Sequence, residues 1–186
     1  MYALRLTTGL TSIRFGTNDL LCERMMDAET SPVDRILIAM ANDLPINKAE
    51  IRTLIPHSGL MCLLDEVTQW DDRSIVCITN SHRDPANPLR REGRLSALHA
   101  FEYGAQAAAV HGGLRARSAG TTAASGYLAA LRDGRLNVTR LDQIHLSLRV
   151  CATRLFGDRA NTVYEFLISA ANVLVAEGRI IILERV

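Results

Sequence analysis

Residues 98–110 read Leu98-His99-Ala100-Phe101-Glu102-Tyr103-Gly104-Ala105-Gln106-Ala107-Ala108-Ala109-Val110. The run predicts a helix from residue 95 to about residue 112, with Ser96 placed to cap it and Gly112-Gly113 to stop it. Ala, Leu, Phe and Val fall on all of its faces. A helix with no polar side belongs inside a fold rather than on its surface. The one carboxylate it carries, Glu102, would be desolvated there. Desolvation raises a carboxyl pKa and keeps the group protonated, able to act as an acid.

Upstream stands Leu54-Ile55-Pro56-His57-Ser58-Gly59-Leu60-Met61-Cys62-Leu63-Leu64-Asp65, a histidine feeding an apolar run. Residues 61–70 read as a strand, Asp71-Asp72-Arg73 as a tight turn and residues 74–80 as the second strand of a hairpin. Before them Asn47 can cap a short helix, with Glu50 three residues on, as in a capping box. Ile51, Leu54 and Ile55 give that helix its apolar side, and Pro56 ends it. Residues 81–94 hold two prolines, a glycine and four arginines, and predict a long loop. After the long helix come strands at 126–131, ending near the Asp133-Gly134 turn signal, and at 143–155, 161–170 and 173–185. In the second of these Ile144, Leu146, Leu148 and Val150 alternate with His145, Ser147 and Arg149, as in a half-buried strand. A hairpin, one buried helix and then a meander predict an α+β fold: an antiparallel sheet wrapped around one long helix.

The totals bound the rest. The chain has 186 residues, enough for one domain with a core, and its 48% hydrophobic and 22% charged residues suit a soluble globular protein. A net charge of +1 excludes a general polyanion binder, so nucleic acid is not an expected partner. No apolar run reaches the roughly 18–20 residues of a membrane span. Cys22, Cys62, Cys77 and Cys151 are too scattered for a zinc site, and reduced thiols in a cytoplasmic protein are expected. Residues 1–30 read as an extension, either a mis-assigned start before Met25-Met26 or, less in keeping with the sequence, a transit peptide. Ser31-Pro32 opens a predicted N-terminal helix in 31–46. The main domain is 47–186.

The two motifs together resemble the hotdog-fold β-hydroxyacyl-acyl carrier protein dehydratases. Leu54, Pro56, His57, Leu63, Leu64, Asp65 and Val67 match one family stretch. Glu102, Ala105, Gln106 and Ala107 match the family's helix. Phe101-Glu102-Tyr103, Gly126-Tyr127-Leu128 and Arg135-Leu136 are similar to a divergent 3-hydroxyacyl-carrier-protein dehydratase-like branch of aryl polyene type. The chain departs at Leu60, where the family has proline, and at Ser96-Ala97-Leu98, where it has Pro-Gly.

The residues by themselves offer a titratable imidazole and a carboxylate, the parts needed to move protons near neutral pH. The resemblance implies a lyase dehydrating 3-hydroxyacyl thioesters to trans-2-enoyl thioesters in fatty acid or polyene lipid synthesis. It makes His57 the base and Glu102 the acid, each from a different subunit of a dimer. Ala97 and Leu98 become substrate contacts through backbone amides at the helix start; Gln106, one turn after Glu102, is either a further substrate contact or a structural residue that hydrogen-bonds Glu102. It implies no cofactor and no metal, an acyl carrier protein or coenzyme A thioester as substrate, and a homodimer or a heterodimer with a related subunit. A hotdog thioesterase and a non-catalytic acyl-binding subunit are the alternatives. His99 is the rival base, and Asp65 reads as structural. His82, His111 and His145 carry no constellation. Arg90, Arg91 and Arg94 before the helix and Arg115 and Arg117 after it are candidates to steer an acidic carrier.

Overall fold

The computed structural model describes residues 45–122, 126–158 and 161–184. The extension and the N-terminal helix read from Ser31-Pro32 lie outside the described residues. Nine elements follow in chain order: β1 (Ile46–Asn47), α1 (Lys48–Leu54), β2 (Glu66–Trp70), β3 (Ser74–Thr79), α2 (Ala100–Ser118), β4 (Gly126–Leu136), β5 (Leu148–Gly157), β6 (Asn161–Ala170) and β7 (Val173–Glu184). The strands form one antiparallel sheet in the order β1-β2-β3-β5-β6-β7-β4. It curls around α2, which packs on β3, β5, β6 and β7. This is the hotdog architecture that the all-round apolar helix requires.

Ten residues of α2 are buried, from Ala100 to Leu114. Small residues let the sheet come close. A Cβ at Gly104 would sit 2.6 Å from the Phe166 ring, which also meets Phe101 edge-on with centroids 5.9 Å apart. Gly112-Gly113 does not stop the helix, which runs on to Ser118. Gly113 instead seats α1 against α2: a Cβ there would lie 2.9 Å from the Leu54 carbonyl oxygen.

Local signals explain the short elements. Asn47 caps α1, its Oδ1 accepting from the amides of Ala49 and Glu50. Asp71 Oδ1 accepts from the amides of Arg73 and Ser74 at 2.7 Å each and closes the β2–β3 turn. Three strand boundaries differ from expectation. Residues 61–65 are not strand; a 3-10 turn spans Gly59–Met61 and pairing begins at Glu66. Asp133-Gly134 is no hairpin turn but a bulge inside β4, with Asp133 at φ 52° and one extra residue between Arg132 and Arg135 relative to β7. His145 and Leu146 precede β5 rather than alternate within it, and both are exposed.

Cys62 and Cys77 are buried free thiols. Cys151 is disulfide-bonded, which corrects the expectation of reduced thiols throughout. It pairs with Val76 on the sheet face opposite α2, apart from the main core that encloses Cys77. Among the described residues no helix is long and apolar enough to cross a membrane.

Candidate active site

Pro56 holds Ile55 in extended backbone (φ −128°, ψ 153°), which ends α1 and swings His57 toward α2. Gly59, at φ 56°, turns the chain back, and Arg52 Nη2 donates to its carbonyl at 3.3 Å. The segment is then fastened to α2 by one side chain. Gln106 Oε1 accepts from the Leu63 amide at 2.9 Å, and Gln106 Nε2 donates to Met61 O and to Glu102 Oε1, both at 2.8 Å. The Leu63 amide and the Met61 carbonyl are thus satisfied by the helix rather than by a neighbouring strand. The Leu63 carbonyl accepts from the Thr79 and Ser81 hydroxyls, and the Asp65 amide donates to Ile78 O of β3 at 3.1 Å.

The result brings His57 and Glu102 together within one chain. Nε2 of His57 lies 3.3 Å from Glu102 Oε1, and the side chains are 29% and 31% exposed. The resemblance implies that different subunits supply the two groups; within this chain, 45 residues apart in sequence, they already meet. His57 Nδ1 is buried with no hydrogen-bond partner among the described residues.

Glu102 is also not the protonated acid that a desolvated carboxyl would be. The hydrogen bond with His57 holds its pKa below the ordinary carboxylate value. Partial burial opposes that shift, and Gln106 and the nearby charges of His57 and His99 reinforce it. The apolar composition of α2 pointed to burial, but the side chain leaves the helix beside an imidazole and stays half-exposed.

The expected substrate contacts are already engaged. Gln106 is fully buried, and its oxygen and nitrogen are bonded within the protein, so it positions the site rather than meeting a substrate. The Ala97 amide donates to Thr139 O at 3.1 Å and the Leu98 amide to Ser96 Oγ at 3.2 Å. Neither amide is free to hold an oxyanion. Ser96 caps a 3-10 turn, Ala97–His99, that leads into α2.

Asp65 is structural, as expected. It accepts from Lys48 Nζ and from the Asn80 amide, both at 2.7 Å. The arginines divide. Arg90 donates to the carbonyls of Asp84, Gly93 and His82 and braces the loop. Arg115 and Arg117 lie thirteen and fifteen residues past Glu102, about 20 Å along the helix, and Arg117 faces Glu50. Arg91 and Arg94 have no acid partner among the described residues. They line an open cavity with Ser96, His99, Thr139 and Arg140. Thr139 and Arg140 carried no sequence signal, because only the backbone pairing of Ser96 with Arg140 brings them there.

Two histidines without a sequence constellation are bonded in the interior. His111 Nε2 faces Asp71 O at 2.7 Å, so that nitrogen carries the proton, and Nδ1 accepts from the Tyr164 hydroxyl at 2.8 Å. Burial lowers the His111 pKa to about 4. His82 faces Ile144 O at 3.0 Å, and burial lowers its pKa as well. Among the described residues no group of His, Cys, Asp and Glu has the arrangement of a metal site.

The fold recurs in solved structures. The dehydratase heterocomplex ApeI:P from Xenorhabdus doucetiae is 23% identical, with 73% of this chain and 91% of that one covered and a TM-score of 0.66. Zebra fish thioesterase superfamily member 2 is 13% identical over 75% of this chain and 99% of that one, with a TM-score of 0.54. No curated protein matches. The sequence does match the ApeP-like family, described as ApeP dehydratase, over residues 49–185, a span that takes in both motifs, the dyad and nearly all of the sheet. The chain belongs to the ApeP-like dehydratase family.

Proposed function

We propose that the protein is a hydro-lyase that removes water from 3-hydroxyacyl thioesters, carried by an acyl carrier protein or by coenzyme A, in fatty acid or polyene lipid synthesis. The observation that carries this reading is the 3.3 Å approach of His57 and Glu102 in a half-exposed site. An imidazole and a carboxylate that share a proton supply both halves of an elimination.

The ionised state of Glu102 sets the order of steps. His57 takes the proton from C2. The C2–H electron pair becomes the C2–C3 double bond as the C3–O bond breaks. The carboxylate cannot act as acid until the dyad has gained that proton. It receives it across the His57–Glu102 contact and delivers it to the leaving oxygen, which departs as water. One proton enters, one leaves, and the dyad returns to its starting state. Gln106 keeps Glu102 aligned throughout.

Incubation with a panel of 3-hydroxyacyl thioesters, followed by mass spectrometry, tests this. Loss of 18 mass units with the thioester intact is expected. Release of a free acid would overturn it in favour of a thioesterase. One observation favours that second reading: a resting carboxylate is the form that activates water. An unchanged panel, with the chain restoring activity to a related subunit, would mark a non-catalytic partner.

A second hotdog subunit fits the free edge of the sheet. β4 is its last strand, and Tyr127, Leu128, Leu131 and Leu136 along it are exposed. Unpaired apolar edges are protein-pairing surfaces. Light scattering of the purified protein, alone and with a related subunit, is expected to give at least two chains per particle; a monomer under both conditions would refute it.

A further inference from the structure

An antiparallel sheet with a helix on one side commonly turns its other side, polar, to solvent. The middle of this sheet departs from that pattern. In β3, β5 and β6 the residues Ile75, Cys77, Val150, Ala152, Phe166 and Ile168 belong to the core around α2. The residues between them therefore point the opposite way. There Val76 pairs with Cys151, and Cys151 with Leu167, in one row across three strands. All three side chains are buried, as are Ser74, Thr153 and Ser169 beside them. Val76 and Cys151 form an apolar cluster separate from the main core. The two helices do not account for this burial: α2 fills the inner face, and α1 packs on α2 and on the edge strands β1 and β2.

We propose that this outer face is the docking surface for the chain's own N-terminal segment, the stretch around Cys22, fastened there by a Cys22–Cys151 disulfide. Cys151 is disulfide-bonded, whereas Cys62 and Cys77 are free thiols. The chain has four cysteines, so Cys22 is the one left to be the partner. The residues beside Cys22 suit the face. Leu20, Leu21, Met25 and Met26 are apolar and supply the surface that the Val76–Cys151–Leu167 row needs to be shielded from water.

The register of the sheet puts the two cysteines within reach. Ile46 of β1 lies opposite Val67, Val67 opposite Cys77, and Cys77 opposite Val150, the neighbour of Cys151. Three strand spacings, about 14 Å, separate Ile46 from Val150. Cys22 stands 24 residues before Ile46, and a chain of that length spans roughly 80 Å when extended. The bridge closes a loop of 129 residues. Loops of this length gain the most from closure, because the unfolded chain loses the most freedom. The bond and the cover stand apart from the reaction: neither depends on the lyase reading.

Peptide mapping of the full chain, purified without reductant and digested with free thiols blocked, tests the bond. One peptide pair joining Cys22 to Cys151 is expected, lighter by two hydrogens than the separate thiol peptides. A dithiol supplies the two electrons and two protons that return both thiols, and is itself oxidised to a disulfide. Free thiol at Cys151, or a bond from Cys151 to Cys62, to Cys77 or to a second chain, would overturn the proposal. Cys22→Ser tests the cover. Its Cys151 is expected to react with iodoacetamide about tenfold or more slower in the folded chain than in urea, because the apolar contacts remain. Equal rates would mean an open face, and protection that rises with protein concentration would assign the cover to a second copy; either result overturns the proposal. Dithiol treatment of the wild type is expected to lower the thermal midpoint by roughly 4–16 °C. An unchanged midpoint would mean that the bond fastens nothing. The wild-type map and midpoint decide even if the variant misfolds.

Discussion

The two halves of α2 each hold a histidine contact and use it in opposite ways. Near its start, Glu102 meets His57 in a half-exposed site where His57 Nδ1 has no partner. Nine residues further on, His111 is enclosed, with both ring nitrogens bonded between the β2–β3 turn and Tyr164 of β6. One imidazole keeps unused proton capacity beside a carboxylate. The other is saturated and held neutral by burial. The same residue type is available for chemistry where its valences stay open and serves architecture where they are filled.

The widest separation between the halves should appear in rate. Glu102→Gln and His57→Ala are each expected to lower dehydration by about 10²–10⁴-fold, measured as enoyl thioester formation, while His111→Leu leaves kcat near wild type. A rate loss in His111→Leu as large as in the dyad variants would erase the distinction.

Stability should separate them the other way. The His111 pKa falls from 6.5 to about 4 on folding. The unfolded state therefore binds more protons between those values, so this contribution is complete above pH 6.5 and is lost as the pH falls toward 4. The shift corresponds to about 3 kcal/mol. Urea unfolding at pH 7 and pH 4.5 measures it. His111→Leu should be less stable at pH 7, because the Tyr164 hydroxyl loses its acceptor, and should show a smaller drop on acidification. His82, lowered in the same sense, and the carboxyls of Glu102 and Asp142, held below the ordinary carboxylate value, contribute to the part of the drop that remains.

Gln106 belongs to both halves of the comparison, being buried like His111 yet bonded to Glu102. Gln106→Leu leaves the Leu63 amide and Met61 carbonyl without their partner, at about 1–3 kcal/mol. It also removes one of the groups holding the Glu102 carboxyl down, so the pH–rate limb set by Glu102 should move upward. A merely structural glutamine would lower stability and leave that limb in place.

The smallest test compares neighbouring glycines. A Cβ at Gly112 meets nothing within 4 Å, whereas at Gly113 it meets Leu54. Gly112→Ala should gain up to about 1 kcal/mol from helix propensity. Gly113→Ala should lose about 1–3 kcal/mol by overpacking. Thermal unfolding of the two variants reads the difference. Equal effects would mean that α1 does not seat on α2 as described.

Much of this was legible before any coordinates. An all-round apolar helix demands an enclosing sheet, and the Asn47 cap, the β2–β3 turn and the limits of β6 lie where local chemistry puts them. The errors have a common cause: partners distant in sequence. Residues 61–65 look like strand until Gln106 takes the Met61 carbonyl and the Leu63 amide. Asp133-Gly134 looks like a turn until β7 pairs on both sides of it. Gly112-Gly113 looks like a stop until Leu54 explains the second glycine. Glu102 looks protonated from its neighbours in α2, and His57 reverses that. The amides of Ala97 and Leu98 look available until Thr139 and Ser96 claim them.

The central claim is that one chain carries the whole dyad. Its most direct test is to coexpress His57→Ala and Glu102→Gln chains with different affinity tags, isolate particles holding both, and measure enoyl thioester formation. With His57 and Glu102 paired inside each chain, every site in the mixed particle lacks one member, and the activity should not exceed that of either variant alone. Recovery of a substantial fraction of wild-type activity would mean that the working pair forms between subunits, and would contradict the account.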